Sequence, residues 1–366
     1  MRFTANRQRL LDAVSVVSSV TGPKAVRPVL QNLRLVVDVS GATLLATDLE
    51  VAIRYRVELL EVEEVGDILL PVAKLSSILR EGTADGVKFS LDDRSVRITC
   101  GGATWRINGE NPDEFPVIPG FDEEKALTLE RDTFSTLIRK TLFACAREKT
   151  RFAFHGVRME VNGDELRLVA TDGKRLAMKS ASFDNTRDVK QAPIVLQKGL
   201  MTFERILGPD PKVQLCIEDK QVMVKSGCAE VSSRVADGVF PDWRNVLPKA
   251  RLLKAIFPRL ELMTALRQAS VLTSEESRSV RMKFADGRMV LTSRAADVGD
   301  SRVEINCTID GEPLEVAFNP DYLVEGLKNM EVAEVTLVLS GAETPACIEG
   351  EENFVYIVMP VTLRAG

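Results

Sequence analysis

NLRLVV, at residues 32–37, recurs as GVRMEV at residues 156–161 and as SVRMKF at residues 279–284. Each copy alternates apolar and mostly polar residues, which is the pattern of a half-buried β-strand. A Ser-Gly, Asn-Gly or Asp-Gly turn signal follows each copy, and a second strand pattern follows the turn. Corresponding positions lie 124 and 123 residues apart. The chain therefore predicts three copies of one structural unit.

Other markers keep the same period. Thr-Asp pairs recur 124 residues apart, Phe-Pro pairs recur 125 residues apart, and a short helical pattern with a basic residue near its end occurs three times. These markers are Thr47-Asp48 and Thr171-Asp172, Phe115-Pro116 and Phe240-Pro241, Leu75, Leu200 and Leu323, and Arg80, Arg205 and Lys328. A third of 366 residues is 122, so three units fill the chain. We expect domains at residues 1–124, 125–252 and 253–366.

Each unit opens with an amphipathic helix, since apolar residues recur at helical spacing. The three apolar faces are Leu10, Leu11, Val14 and Val17; Phe134, Leu137, Ile138 and Leu142; and Leu262, Ala265, Leu266 and Ala269. The rest of each unit is mostly short strands, with a second helix near its middle. The predicted fold class is α+β, with two helices packed on antiparallel sheets in each of the three domains.

Composition narrows the class of protein. Apolar residues make up 45% of the chain, yet no run approaches the roughly 18 apolar residues of a membrane span. The N-terminus is polar and has no apolar signal core, so we expect a cytoplasmic protein without a membrane partner. The six cysteines form no CxxC pair, which favours buried free thiols over a metal site.

Charge is unevenly distributed. The net charge of −5 divides into −5, +7 and −7 over the three predicted domains. Basic residues gather on the opening and short helices: Arg7, Arg9, Arg131, Arg139, Lys140, Arg147, Lys149, Arg151, Arg259 and Arg267, with Lys74, Arg80, Lys198, Arg205 and Lys328. Two interpretations stay open, a cationic surface that holds nucleic acid and ordinary solvated helix faces.

Candidate catalytic residues are few. His155 is the single histidine, and no nucleophile elbow, Walker A or dinucleotide-binding glycine motif occurs. The acidic pairs Asp92-Asp93 and Glu123-Glu124 lie in turn-like stretches. The sequence predicts a binding protein without a catalytic site, metal or cofactor.

Five motifs carry a resemblance to a known family. They are RPVLQN at residues 27–32, TDLE at 47–50, LVATDGKRLA at 168–177, DGVFPDW at 237–243 and YIVMP at 356–360. Together, in this order and spacing, the chain resembles the bacterial DNA polymerase III beta subunits, the beta sliding clamps. The motifs run from the first unit to the last, so the resemblance covers essentially the whole chain.

The resemblance implies a non-catalytic processivity subunit. Two copies would join head to tail into a six-domain ring whose helices line the hole. The ring would encircle double-stranded DNA without sequence preference after loading by a clamp loader. It would tether the DNA polymerase III alpha subunit and other proteins that carry short clamp-binding motifs.

The resemblance also implies a peptide pocket between domains 2 and 3. Its upper part would comprise Phe154, Thr171, Gly173, Lys174, Arg175, Leu176, Pro241 and Val246, and its lower part Asn319, Tyr322, Val358, Met359, Pro360, Val361 and Leu363. The apolar strand residues could instead simply close a sheet. Asn245, Ser277 and Pro345 depart from the residues familiar in relatives, as does the extension to Gly366, so we expect an altered peptide preference.

Two further sets follow from the resemblance. Trp105 and Ile107 would contact Val271 and Leu272 of a second copy at the dimer interface. The candidates for contact with DNA phosphates are Lys24, Lys149, Arg151, Phe152, Lys198 and Arg205. Two alternatives from other classes stay open: a DNA-processing enzyme with a repeat fold, and a repeat scaffold that has no role on DNA.

Overall fold

The computed structural model describes residues 1–22, 27–146, 153–185, 187–273, 278–295 and 298–362. The chain divides into two compact units. The first comprises Met1–Ser135 and Val195–Val235, and the second Thr136–Ile194 and Ala236–Gly366. Within the described ranges, every helix is too short or too polar to cross a bilayer.

The described residues contain six α-helices: α1 (Arg7–Val17), α2 (Val72–Glu81), α3 (Arg131–Leu142), α4 (Gln197–Ile206), α5 (Arg259–Ser270) and α6 (Pro320–Lys328). The strands are β1 (Arg2–Asn6), β2 (Asn32–Asp38), β3 (Gly41–Thr47), β4 (Val51–Val57), β5 (Glu61–Glu64), β6 (Gly66–Pro71), β7 (Gly86–Asp92), β8 (Ser95–Cys100), β9 (Ala103–Asn108), β10 (Leu127–Glu130), β11 (Gly156–Asn162), β12 (Glu165–Thr171), β13 (Arg175–Ser182), β14 (Ile194–Leu196), β15 (Lys212–Ile217), β16 (Gln221–Ser226), β17 (Ala229–Arg234), β18 (Leu253–Pro258), β19 (Val280–Ala285), β20 (Arg288–Ala295), β21 (Gly299–Asn306), β22 (Thr308–Gly311), β23 (Leu314–Phe318), β24 (Glu334–Leu339), β25 (Ala346–Glu349) and β26 (Phe354–Val358).

Two sheets form the first unit. One has the strand order β5-β1-β7-β8-β9, and the other β10-β15-β16-β17-β4-β3-β2-β6. The larger sheet joins strands from two sequence repeats, because β17 pairs antiparallel with β4 from Ala229↔Tyr55 to Ser233↔Val51. Helix α1 packs on β3 and β4, so its apolar face is buried against this sheet.

The second unit repeats this arrangement. One sheet contains the consecutive strands β11-β12-β13-β26-β25-β24-β18-β22, next to the short strand β14, and the other runs β21-β20-β19-β23. Here β13 pairs antiparallel with β26, from Arg175↔Val358 to Lys179↔Phe354, and again joins strands of two sequence repeats. This junction matters for function because the candidate pocket lies at its end.

The three repeated strand patterns form β2, β11 and β19, as predicted. The helix faces are also confirmed, with small differences. Leu10, Val14 and Val17 are fully buried on α1, but Leu11 is half-exposed and Ala13 takes its place in the core. Leu142 is likewise half-exposed on α3.

An arginine at the first position of each opening helix ties that helix to the second helix of its repeat. Arg7 donates to the carbonyl oxygens of Leu79 (2.9 Å) and Ala84 (3.0 Å). Arg131 donates to Gly208 (3.0 Å), just past α4. Arg259 donates to the carbonyl oxygens of Leu327 (3.0 Å) and Val332 (2.8 Å). These cations satisfy carbonyls at or near helix C-termini, where positive charge is favourable.

The cysteines differ in part from the prediction. All six are reduced thiols outside any disulfide, and four are buried: Cys100, Cys145, Cys216 and Cys347. Cys228 is exposed and Cys307 is half-exposed, so the expectation that all thiols are buried is wrong for these two. Burial raises the pKa of Cys145 to about 12, which keeps that thiol protonated and unreactive.

Candidate functional site

A mostly apolar cavity of about 140 Å³ lies in the second unit, at the end of the β13–β26 junction. Its lining comes from four segments: the short turn before β11, the turn between β12 and β13 with its flanking residues, the loop after residue 240, and the end of β26. The lining residues are Phe154, Thr171, Gly173, Arg175, Leu176, Pro241, Asp242, Trp243, Val246, Ile357 and Met359. A concave apolar site with few polar groups is typical of a binding pocket.

The turn at residues 171–175 shapes one side of the cavity. The Thr171 hydroxyl donates to the carbonyl of Arg175 (2.7 Å) and accepts from the amide of Gly173 (3.1 Å). Asp172 Oδ1 accepts from the amides of Lys174 (2.9 Å) and Arg175 (3.0 Å). Gly173 has φ +84°, a left-handed conformation that favours glycine. A Cβ added there would lie 3.5 Å from the Phe154 ring, so glycine leaves the mouth of the cavity open.

Arg175 is buried, with a side chain only 4% exposed. Its Nη1 donates to Glu325, its Nη2 to the carbonyl of Phe143 (3.0 Å), and its Nε to Asp172 (3.2 Å). Burial alone would lower the pKa of Arg175, but the hydrogen bond to Glu325 and nearby negative charge raise it. Its guanidinium also lies 4.8 Å from the centroid of the Tyr322 ring. Arg175 therefore supports the wall of the pocket through bonds within the protein.

The segment after β26 forms the opposite lip. The amide of Met359 donates to the carbonyl of Lys174 (2.8 Å), and the amide of Val361 donates to the carbonyl of Ala317 (2.8 Å). Met359 is 37% exposed and lines the cavity. The lip is therefore held on one side by the turn at residues 171–175 and on the other by the end of β23.

The structure brings together part of the predicted pocket. Eight predicted residues line the cavity: Phe154, Thr171, Gly173, Arg175, Leu176, Pro241, Val246 and Met359. Six others lie outside the lining: Lys174, Asn319, Tyr322, Val358, Pro360 and Val361. Leu363 lies outside the described residues, as does Ser277, one of the residues that differ from those familiar in relatives. Their part in binding stays a prediction.

Sequence reasoning missed three lining residues, Asp242, Trp243 and Ile357. Two of them had a signal. Asp242 and Trp243 stand in the DGVFPDW motif, directly after the predicted Pro241. Ile357 and Met359 are two residues apart, and alternate residues of a strand share a face. The same alternation places Val358, which is fully buried, on the other side.

The predicted DNA-binding residues fall into two groups. Lys24, Lys149, Arg151 and Phe152 lie outside the described residues. Arg205 is exposed in the last turn of α4, and Lys198 is half-exposed and contacts Asp48 Oδ2. Arg80 and Lys328 are exposed at the corresponding positions of α2 and α6. The repeated basic position therefore reaches the surface in all three short helices.

Lys140 behaves differently from a surface cation. Its side chain is 7% exposed, and its Nζ donates to Glu351 (2.8 Å) and to the carbonyl of Asn329 (2.6 Å). Because this charge is neutralised inside the second unit, the assignment of Lys140 to a basic helix face is wrong. The same correction applies to Arg7, Arg131 and Arg259. Their guanidinium groups donate to carbonyls at or near the ends of neighbouring helices, so they are not simply cations of a basic helix face.

The predicted dimer-interface residues lie at sheet and helix ends. Trp105 and Ile107 are half-buried on β9, the edge strand of the smaller sheet of the first unit. In the second unit, Val271 is 75% exposed directly after α5, and Leu272 is half-exposed beside it. An edge strand has unpaired backbone groups that a second chain can bind.

The described ranges hold no group of His, Cys, Asp and Glu side chains arranged to bind a metal ion. The acidic pair Asp92-Asp93 lies at the β7–β8 hairpin, where Asp93 has φ +53°. This is a turn position, as expected.

Comparison with known families decides the class. The N-terminal domain of the DNA polymerase III beta subunit matches residues 1–119, the central domain matches residues 128–242 and the C-terminal domain matches residues 244–362. The chain belongs to the DNA polymerase III beta subunit family, the beta sliding clamps. The first two matches each fall within one predicted repeat, whereas the third begins at residue 244, nine residues before the predicted start of domain 3. The domain boundaries stay a prediction.

Relatives agree over the full length. The beta sliding clamp of Pseudomonas putida is 30% identical, over 99% of this chain and 100% of that protein. The crystal structure of the beta subunit from Pseudomonas aeruginosa superimposes with a TM-score of 0.95 at 28% identity, covering 99% and 100% of the two chains. The clamp structure from Bacillus subtilis gives 0.95 at 27% identity, covering all of both chains.

The resemblance read from the five motifs is confirmed, as is the fold class of three clamp domains with helices and antiparallel sheets. Another structure of the Pseudomonas aeruginosa clamp is described as bound to griselimycin, with a TM-score of 0.94 at 28% identity over 99% and 100% of the two chains. Sliding clamps are processivity factors for DNA replication.

Proposed function

We propose that this chain is a DNA sliding clamp that encircles duplex DNA and tethers the replicative polymerase, without catalysing a reaction itself. The observation that carries this proposal is the apolar cavity at the end of the β13–β26 junction, in a chain built from three clamp domains. The protein would act in the cytoplasm, without a cofactor, and would need a clamp loader to open the ring.

The cavity suits a short peptide with apolar anchors. Leu176, Val246 and Ile357 give it apolar walls, and the charge of Arg175 is neutralised within the protein. Burial of one Leu or Phe side chain in such a pocket contributes about 1.5–3 kcal/mol. Two adjacent anchors would therefore contribute about 3–6 kcal/mol, and further contacts of the peptide would have to supply the rest of the roughly 8 kcal/mol of a micromolar complex. The partners would be the DNA polymerase III alpha subunit and other proteins that carry the same kind of motif.

Binding to DNA would depend on phosphate contacts. Arg205, Arg80 and Lys328 present exposed cations on the short helices, and Lys198 would join them by exchanging Asp48 for a phosphate. Lys24, Lys149, Arg151 and Phe152 complete the proposed set. Such contacts ignore base sequence, and binding weakens as salt rises. Modest affinity is sufficient because a closed ring is held on DNA by topology.

Ring closure would use two different surfaces. The edge strand β9, with Trp105 and Ile107, would meet Val271 and Leu272 of a second copy. Such a head-to-tail contact closes only when the rotation between copies fits. Replacement of Trp105 and Ile107 by alanine should shift the dimer to a monomer in light scattering. An unchanged mass would refute this interface.

The decisive experiment compares circular and linear DNA. Protein placed on nicked circular duplex DNA by a clamp loader should remain bound through a high-salt wash. It should be released when the DNA is linearised, because the ring then slides off an end. Release from both forms alike would favour a scaffold without a role on DNA. DNA cleavage or synthesis that disappears when Asp92 and Asp93 are replaced would favour an enzyme.

Truncation after Val355 tests the pocket separately. It removes Ile357, Met359 and the lip, so it should abolish binding of a polymerase-derived peptide. Unchanged peptide affinity would refute the assignment of the pocket.

A further inference from the structure

Trp243 forms a buried wall of the cavity. Its side chain belongs to the same apolar cluster as Leu176 and Ile357, and it is 5% exposed. It begins the short 3₁₀ turn Trp243–Val246, which Asp242 caps by accepting from the amide of Arg244 (3.3 Å). The indole Nε1 donates to Glu160 Oε1 at 3.2 Å. A buried indole N–H needs such an acceptor, so this bond defines the orientation of the ring.

Glu160 lies within β11, and its side chain is 8% exposed. Three arginines donate to its carboxylate: Arg158 Nε (2.8 Å), Arg167 Nη1 (3.1 Å) and Arg244 Nη2 (3.0 Å). Burial raises the pKa of Glu160, but the hydrogen bonds from Arg244, Trp243 and Arg167 outweigh it and bring the pKa below its ordinary value. The carboxylate is therefore charged at neutral pH.

Two of these arginines also lie over the indole. The guanidinium carbon of Arg244 is 4.4 Å from the ring centroid of Trp243, and that of Arg167 is 5.5 Å from it. Both distances are within the range of cation–π attraction. Glu160 thus fixes Trp243 directly through the N–H and indirectly through the two cations that contact the ring.

The fold does not require this network. In the first unit, the repeat places Val36 at the position of Glu160, 124 residues earlier, and Ile118 at the position of Trp243, 125 residues earlier. Val36 and Ile118 both pack on the apolar cluster around Phe115, as Trp243 packs with Phe240 in the second unit. An apolar pair therefore fills the same place in one copy, and a charged, hydrogen-bonded network fills it in the other.

We propose that Glu160 is a positioning residue for peptide binding, which holds Trp243 in place as a wall of the pocket through the Nε1–Oε1 hydrogen bond and the arginines that the carboxylate gathers. This inference rests on the proposed peptide pocket. Its physical basis is preorganisation: a wall held before binding does not have to be ordered by the peptide.

The test measures affinity and the state of the indole together. Since Trp105 and Trp243 are the two tryptophans, a Trp105→Phe background leaves Trp243 as the single indole reporter. The probe is a fluorescein-labelled peptide with adjacent Leu and Phe, read by polarisation. Glu160→Ala should weaken binding about tenfold, equivalent to about 1.4 kcal/mol. It should also shift the emission of Trp243 and increase its quenching by acrylamide.

Glu160→Gln keeps an oxygen acceptor for the indole, so it should recover most of the affinity and of the emission. Glu165→Gln is the matched control, because Glu165 also binds Arg167 (2.6 Å), whereas the acceptor of the indole N–H of Trp243 is Glu160. It should leave both readouts unchanged. In a Trp243→Phe background, Glu160→Ala should cost much less affinity than it does beside Trp243, because the N–H that Glu160 anchors is gone.

Several results would overturn the inference. One is wild-type affinity in folded Glu160→Ala protein. If that variant does not fold, wild-type affinity in Glu160→Asp, whose shorter side chain withdraws the carboxylate from the indole N–H, has the same meaning. A loss of affinity in Glu165→Gln as large as that in Glu160→Ala would also overturn it. Failure of the wild-type protein to bind the peptide at all would instead overturn the proposed pocket, and this inference with it.

Discussion

The turn at residues 47–51 in the first unit and the turn at residues 171–175 in the second have the same hydrogen bonds. Thr47 donates to the carbonyl of Val51 (2.9 Å), as Thr171 does to that of Arg175. Asp48 Oδ1 accepts from the amides of residues 50 and 51 (3.0 and 2.7 Å), as Asp172 does one repeat later. The repeat therefore preserves the backbone of this turn.

The side chains differ. Leu49 has φ +78° where Gly173 has φ +84°, so a branched side chain stands where the second unit has open space. Val51 stands where the second unit has Arg175, and the differences at Val36 and Ile118 complete the contrast. The repeat therefore supplies the same frame in both units, while four positions in and around the cavity of the second unit differ from their counterparts in the first.

The largest expected effect comes from giving the second turn the residue of the first, Arg175→Val. It leaves Glu325 and Asp172 without their buried partner, and loss of one member of a buried ion pair costs about 3–5 kcal/mol. The free energy of unfolding, measured by urea titration, should fall by about 3 kcal/mol. Lys174→Val, an exposed neighbour in the same turn, is the control and should change it by less than about 0.5 kcal/mol. A loss under about 1 kcal/mol would contradict the structural role of Arg175.

Gly173→Leu should close the mouth of the pocket. The new side chain begins 3.5 Å from the Phe154 ring and extends into the space that a peptide would occupy. Peptide affinity, measured by polarisation, should fall at least about a hundredfold, or about 2.8 kcal/mol. The fold should survive, because Leu49 tolerates the same backbone conformation in the first unit. Leu49→Gly, which changes the other copy, should leave affinity unaltered; near-normal binding by Gly173→Leu would argue that peptides dock elsewhere.

Leu49→Gly should have a smaller effect, on stability. A non-glycine residue in the left-handed region costs of order 1 kcal/mol, so glycine should raise the free energy of unfolding by about 0.5–1 kcal/mol in urea titration. Leu49→Ala keeps the Cβ and the strain, and it serves as the matched control that should bring no gain. Equal stabilisation by both variants would mean that the exposed side chain, and not the backbone, is responsible.

The smallest effect on stability is expected at the ion pair of the first turn. Lys198 is 42% exposed and Asp48 is 24% exposed, so Lys198→Gln should cost less than about 0.5 kcal/mol. The same change should weaken binding to duplex DNA, and Asp48→Asn, which frees the ammonium, should strengthen it. A titration of DNA affinity against salt separates the two, since the slope should change by about one phosphate contact. Parallel changes in both variants would remove Lys198 from the proposed DNA contacts.

The sequence predicted the repeated frame well because strands and helices leave periodic patterns. The strand patterns at Leu33, Val157 and Val280 formed β2, β11 and β19, and the resemblance placed Gly173 and Pro241 at the cavity. The sequence was less informative about the cavity wall that the end of β26 forms. The resemblance implies Val358 as a pocket residue. Side chains alternate along β26, however, so Val358 is buried on the other face while Ile357 and Met359 line the cavity.

Long-range polar partners were beyond sequence reasoning. Lys140 looks like a surface cation on α3, yet Glu351 lies 211 residues away along the chain and neutralises it. The bond from Trp243 to Glu160 spans 83 residues. Period and propensity describe what each residue prefers locally, and neither reveals which distant carboxylate will meet it.

The three capping arginines affect how a mutational survey of the clamp's cations would be interpreted. Replacing Arg7, Arg131 or Arg259 by glutamine would lower the measured affinity for duplex DNA, as would replacing a cation that contacts a phosphate. The cause would be a loosened helix pair, because the lost donors served carbonyls at the ends of neighbouring helices. Lysine at these positions would retain the charge and still lose the forked geometry. A survey that pairs each glutamine with a lysine would therefore separate cations that support the scaffold from those that hold the duplex.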